Sequence, residues 1–153
     1  MPEYFDISLI QRKTDTSKEV LDRCLLENFG LEEGENKVPY FGNRKVLVSV
    51  FQEDESDFDE ICIGFPEQTF HKDSFDNEVE FFTSFVTVCF QSCPEIEFAL
   101  CSYELNGYLL RNTKKLKELT NELLNKFPIV YRRQEEHKSP LLELNLGAQE
   151  ILR

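Results

Sequence analysis

No stretch of this sequence stays apolar for long. Its longest apolar runs are interrupted by charged or hydroxyl side chains, short of the about 20 residues that a membrane-crossing helix needs. A chain kept off the membrane is therefore expected. The N-terminal "MPEYFDISLIQRK" lacks the basic start and apolar run of a secretory signal, so a cytoplasmic location is expected as well. Histidine is scarce, with only His71 and His137, which leaves little material for a Ser-His or Cys-His nucleophile pair. His71 sits in the polar "TFHKDSF" and His137 in the charged "EEHK", where structural or solvent-facing roles are expected. The nucleophile elbow, the phosphate-binding loop and the dinucleotide fingerprint are all missing. Carboxylates are so abundant that no pair of them points to acid–base chemistry. Basic charge is thin over the first two thirds: Met1 to Tyr103 carries 22 acids and 8 bases, against 7 acids and 9 bases from Glu104 to Arg153. The two parts, −14 and +2, sum to the net −12. Phosphate would be repelled by the first part, which argues against a nucleic-acid partner and for a cationic one.

What is present suits a globular fold. With 41% apolar and 30% charged residues in 153, the chain can bury a core, and one α+β domain over residues 1–153 is expected. The five cysteines, Cys24, Cys62, Cys89, Cys93 and Cys101, are odd in number and sit in apolar, periodic contexts. Buried, reduced thiols are the expectation. Cys89 and Cys93 share a helix face with Cys101 nearby, but structural zinc usually takes four ligands on turns. No metal and no cofactor is expected.

Periodicity predicts the elements. Tyr4–Gln11 alternates as a strand, and Thr16-Ser17-Lys18-Glu19 is a capping box opening a helix that ends near Gly30. Leu31–Arg44 reads as a long loop. Lys45–Phe51 and Phe58–Phe65 are β-branched, nearly continuous apolar runs and are expected as neighbouring central strands of one hairpin. A helix, apolar almost all round, is expected from Ser74 or Asp76 to about Cys93, where Pro94 stops it; Phe85–Gln91 is compatible with a strand instead. Ile96–Glu104 follows as a strand, Asn106-Gly107 as a turn and Asn112–Phe127 as a helix. "PIVYRR" and Leu141–Leu146 read as a final strand pair. The result is an α+β fold, with a mixed or antiparallel sheet and about three helices. The β-α-β-β-α-β order of the first 104 residues is that of a ferredoxin-like, split βαβ unit, carrying a C-terminal helix and hairpin.

The densest chemistry lies in "FQEDESDFDEI", Phe51 to Ile61, with six carboxylates in eleven residues. No start within it places oxygens and glycine as a calcium-binding EF-hand loop requires. It also lacks the Asn-Gly or Asp-Gly of a tight hairpin turn. Like charges crowded at a tip repel one another, so a basic protein is the expected counterpart. Glu53, Asp54, Glu55, Asp57 and Asp59 supply the charge; Phe58, and Tyr40 and Phe41 in the preceding loop, are candidate aromatic anchors. The stretch "FALCSYELNGYLL…LKELTNELLNKFPIVYRR" in the last third resembles, as a class, small acidic immunity proteins of bacterial toxin–immunity systems. That resemblance implies a non-catalytic inhibitor that binds a basic toxin domain, often a nuclease, over its active site or an essential surface. A regulatory or adaptor domain for another basic protein is the competing reading. An enzyme without a recognisable motif is a third.

Overall fold

The computed structural model describes residues 4–14, 19, 23, 40–41, 44–66, 75–103, 105, 107–134 and 141–144. Of the first predicted helix only Glu19 and Arg23 fall among these, both helical and exposed. Its capping box, Cys24, His71 and His137 lie outside the described residues.

A long first strand organises the sheet. In β1 (Tyr4–Arg12), Phe5, Ile7 and Leu9 alternate with Asp6, Ser8 and Ile10, and every residue from Phe5 to Gln11 is buried. Both faces of this strand are therefore covered. It lies between β5 (Phe58–Pro66) and β6 (Ile96–Tyr103), antiparallel to each, with Ile7 opposite Ile63 on one side and Cys101 on the other. A two-residue ribbon, β2 (Tyr40–Phe41) with β3 (Arg44–Lys45), precedes β4 (Leu47–Phe51). Strands β7 (Ile129–Arg132) and β8 (Leu141–Leu144) complete a six-stranded antiparallel sheet in the order β4-β5-β1-β6-β7-β8. The first strand sits beside the third and fourth of its βαββαβ series, which is the arrangement of a split βαβ unit. The expected α+β class holds, as do the antiparallel pairing of the two apolar runs and that of the last two strands. One expectation fails: Leu47–Phe51 is not central but occupies the sheet edge.

Helix α1 (Phe75–Ser92) covers the face carrying Phe5, Ile7 and Leu9, so Phe85–Gln91 is helix and not strand. Phe82, Phe85, Val86, Cys89 and Phe90 turn inward, while Val88 stands 40% exposed, so this largely apolar helix is not buried all round. Phe82 stacks on Phe5 at 5.2 Å, and Phe65 meets Phe81 and Phe85 edge-on. Each fully buried phenylalanine contributes about 1.5–3 kcal/mol by burial alone. Tyr131 is wholly buried, and its hydroxyl lies 2.9 Å from Thr83 Oγ1. The last turn of α1 has no basic residue of its own. Arg133 serves instead, donating to the carbonyls of Phe90, Cys93 and Ile96 and lying over the Phe90 ring, where a cation suits the helix C-terminus.

The opposite face carries Ile10, Phe58, Leu100 and Val130 beneath Leu105 and residues 107–127. The helix expected over Asn112–Phe127 does not form as one piece. In its place are α2 (Tyr108–Asn112), a 3₁₀ turn (Leu116–Glu118) and α3 (Asn121–Leu124). The leucines Leu119 and Leu124 still face inward, but the chain between them is held by side chains from elsewhere.

Candidate functional site

The acidic stretch divides into three environments. A turn closes with Ser56 N–H donating to the Glu53 carbonyl at 3.2 Å. The buried Ser56 hydroxyl then donates to the Phe58 carbonyl and accepts from the Phe58 amide. This local bonding replaces the glycine chemistry that the sequence lacks. Glu53, Asp54 and Glu55 are exposed at the tip, and Asp57 is half-buried. Phe58, Asp59 and Glu60 are buried, at 0%, 1% and 0% exposure.

Lysines from distant parts of the chain hold this loop. Lys13 donates its ammonium to the Glu53 carbonyl and its amide to the Asp57 carbonyl. Lys114 pairs with the Glu53 carboxylate and also donates to the Leu110 carbonyl. Lys115 Nζ reaches the Glu55 carbonyl at 3.3 Å. Asp57 joins the loop to residues 114–116: its N–H donates to the Lys114 carbonyl, and its Oδ1 accepts from Leu116 N–H at 2.8 Å. Those two bonds engage backbone groups that a continuous helix would have used internally, and so break it. Glu118 caps the same turn, accepting from the Lys114 and Lys115 amides, and these bonds hold its carboxyl below the usual range. Among the described residues, no cation pairs with the carboxylates of Asp54 or Glu55.

The residues proposed for partner binding therefore separate. Phe58 is inside the second core cluster and is not an exposed anchor. Asp59 points into the fold, 3.8 Å from Lys13 Nζ and 3.5 Å from Gln52 Nε2; burial raises its pKa against those two partners. Tyr40 and Phe41 form β2 at the start of β4, Tyr40 opposite Lys45 and Phe41 opposite Arg44. The acidic tip follows the end of β4. At about 3.3 Å per residue the two lie roughly 20 Å apart along the strand, so one copy of the chain does not join them.

Sequence reasoning missed Glu60, the most elaborated carboxylate. Its Oε2 accepts from Ser8 Oγ at 2.5 Å and lies 3.7 Å from Cys62 Sγ, while Oε1 accepts from Leu110 N–H at 2.8 Å. Burial raises its pKa, and the Ser8, Leu110 and Cys62 bonds oppose that shift. Cys62 in turn accepts from Gly107 N–H at 3.3 Å, and burial beside Glu60 pushes its thiol far up. Such a thiol is a poor nucleophile. The array ties α2 to the sheet as a satisfied polar network. Cys89, Cys93 and Cys101 are also buried free thiols. Among the described residues, no three histidine, cysteine or acidic side chains are grouped to hold a metal ion. The only forewarning of Glu60 was its place in a strand register opposite Ile10, with the inward-pointing Ser8 two residues along.

No helix among the described residues is long and apolar enough to cross a membrane. The chain matches no protein-family model, no curated protein and no solved structure.

Proposed function

We propose that the protein is a non-catalytic acidic binding protein that neutralises a basic protein partner, in the manner of the immunity proteins it resembles, with Asp54 and Glu55 at the centre of the contact. The observation that carries this reading is the division of labour within the acidic stretch. Glu53 and Asp57 are committed to Lys114 and the Leu116 amide, and Asp59 and Glu60 are buried. Among the described residues, the carboxylates of Asp54 and Glu55 serve no such internal purpose, and both residues stand exposed on a chain of net charge −12. Exposed carboxylates of this kind steer a cationic surface into encounter and can pair bidentately with arginine. A groove built for phosphate, as in a nuclease, offers that surface.

The test begins with the partner recovered by native co-purification and identified by mass. Association rates are then compared for the parent and for Asp54→Lys/Glu55→Lys, which leaves the loop's internal bonds intact. At low salt the double reversal slows association about tenfold or more, and the difference shrinks as salt screens the charges. A variant that associates as fast as the parent at low salt, or a recovered partner that is itself acidic, overturns the reading.

A further inference from the structure

Strand β4 reads as a central strand but has only one neighbouring strand among the described residues. Natural edge strands are blunted by charge, proline or a bulge. The β4 sequence "LVSVF" contains no charge and no proline, and it pairs with β5 residue for residue without a register shift. Among the described residues no strand pairs with its other edge. It also leaves apolar side chains open on both faces of the sheet. Leu47, 50% exposed, lies opposite Gly64, and Val50, 37% exposed, opposite Ile61. A strand of this kind has room for a second neighbour.

We propose that this neighbour is β4 of a second copy, so that two sheets join antiparallel about a two-fold axis through Ser49. Residues directly opposite in an antiparallel pair share a face. Val48 and Val50 share the α1 face with Ile61 and Ile63, and Leu47 and Phe51 share the other. Centring on Ser49 sets Leu47 against Phe51 and Val48 against Val50 of the other copy, using all five residues without turning any to the wrong face. Charge decides for a second copy over an unrelated strand. Arg44 and Lys45 precede β4 and Glu53, Asp54 and Glu55 follow it. An antiparallel two-fold pair therefore brings the basic ribbon of each copy to the acidic tip of the other, twice over. Such a surface is self-complementary, as an isologous interface requires. The two-fold also brings Tyr40 and Phe41 of one copy to the acidic tip of the other, which the single chain keeps apart. The pairing does not depend on the existence of any basic partner.

Five paired residues a side make a small interface, below about 1,200 Å², so a concentration-dependent equilibrium is expected. Sedimentation equilibrium of the full chain, from about 1 µM to about 1 mM, measures it. Salt of about 0.15 M is used because a Debye length of about 8 Å screens the overall like charge and spares contacts at the seam. The expected mass rises toward twice the 18.0 kDa of one chain. Leu47→Lys/Val50→Lys alters only exposed positions and weakens association about tenfold or more. Arg44→Glu alone and Asp54→Lys alone each weaken it, whereas Arg44→Glu with Asp54→Lys in one chain restores it, because each copy then offers the reversed pair. A chain monomeric throughout the range, or a dimer indifferent to the β4 lysines or not restored by the charge exchange, overturns the proposal.

Discussion

Glu60 shows how much one residue can organise when its surroundings are assembled from afar. Its carboxylate links β1 through Ser8, β5 through Cys62 and α2 through the Leu110 amide, and it is fully buried. Its pKa is raised by burial above the ordinary 4.5. A carboxyl raised in the folded state contributes stability that is fully present below the unfolded value and is lost as pH rises through the folded one. Glu60→Gln removes that contribution and keeps an acceptor for Leu110. The stability of the parent relative to Glu60→Gln should therefore fall as pH rises from 4.5 through the raised native value. Urea unfolding of both proteins across that range measures the difference, and Asp59, also raised, is common to both. A constant difference across the range would show that Glu60 titrates alike in folded and unfolded chains. Gly107 is fixed by its conformation and by its packing. Its φ is +79°, and a Cβ there would sit 2.8 Å from the Phe51 ring, so both backbone and packing demand glycine.

At the scale of elements, the decisive event is the breaking of the helix expected over Asn112–Phe127. Leucines at helical spacing run through this segment, and its propensity favours helix. Tertiary bonds win because Asp57 engages both the Lys114 carbonyl and the Leu116 amide, and Thr120 caps α3 by accepting from Leu123 N–H. Short helices are marginal on propensity alone, so a few such bonds can redirect them. Asp57→Ala should cost about 1.5–3 kcal/mol, the value of a hydrogen bond to a charged acceptor. It should also speed amide exchange at Leu116, with little change at the amides of α1, as hydrogen exchange resolved by residue would show. Exchange at Leu116 equal to the parent's would mean that the 3₁₀ turn stands without the loop. The edge position of β4 belongs to this scale too. An apolar run signals burial of its side chains, yet it does not say whether the neighbouring strand comes from the same chain.

For the whole molecule, charge is the property that sequence and structure share most directly. The acidic first two thirds and the slightly basic remainder meet at the hairpin tip, where Lys114 and Lys115 hold Glu53 and the Glu55 carbonyl. Part of the cationic counterpart expected for the tip thus lies inside the molecule, and among the described residues it leaves the carboxylates of Asp54 and Glu55 without one. Exposed pairs such as Glu53–Lys114 and Arg12–Glu95 contribute about 0–1 kcal/mol each. The self-repulsion of a net −12 acts across the whole surface and is screened as the Debye length falls from about 30 Å at 0.01 M to about 10 Å at 0.1 M. Raising sodium chloride over that range should therefore raise the thermal midpoint by a few degrees. Each kcal/mol corresponds to about 2–4 °C for a chain of this size. A midpoint that falls instead would place the local pairs above the global repulsion.

By itself the sequence determined the α+β class, the antiparallel pairing of the two apolar runs (Leu47–Phe51 with Glu60–Gly64), the helix before Pro94 and the inward-facing cysteines Cys62, Cys89, Cys93 and Cys101. All of these follow from periodicity, β-branching and proline geometry, which act between residues close along the chain. The tertiary structure alone decided that Phe58 and Asp59 lie inside and that Asp54 and Glu55 are spared. It also decided that Glu60 is a buried junction and that β4 is an edge. The fate of the loop and of Glu60 depends on groups 40 to 61 residues apart, such as Lys13 with Glu53 and Lys114 with Glu53. Contacts between groups so distant leave no periodic trace in the sequence, because only the folded sheet brings them within bonding distance.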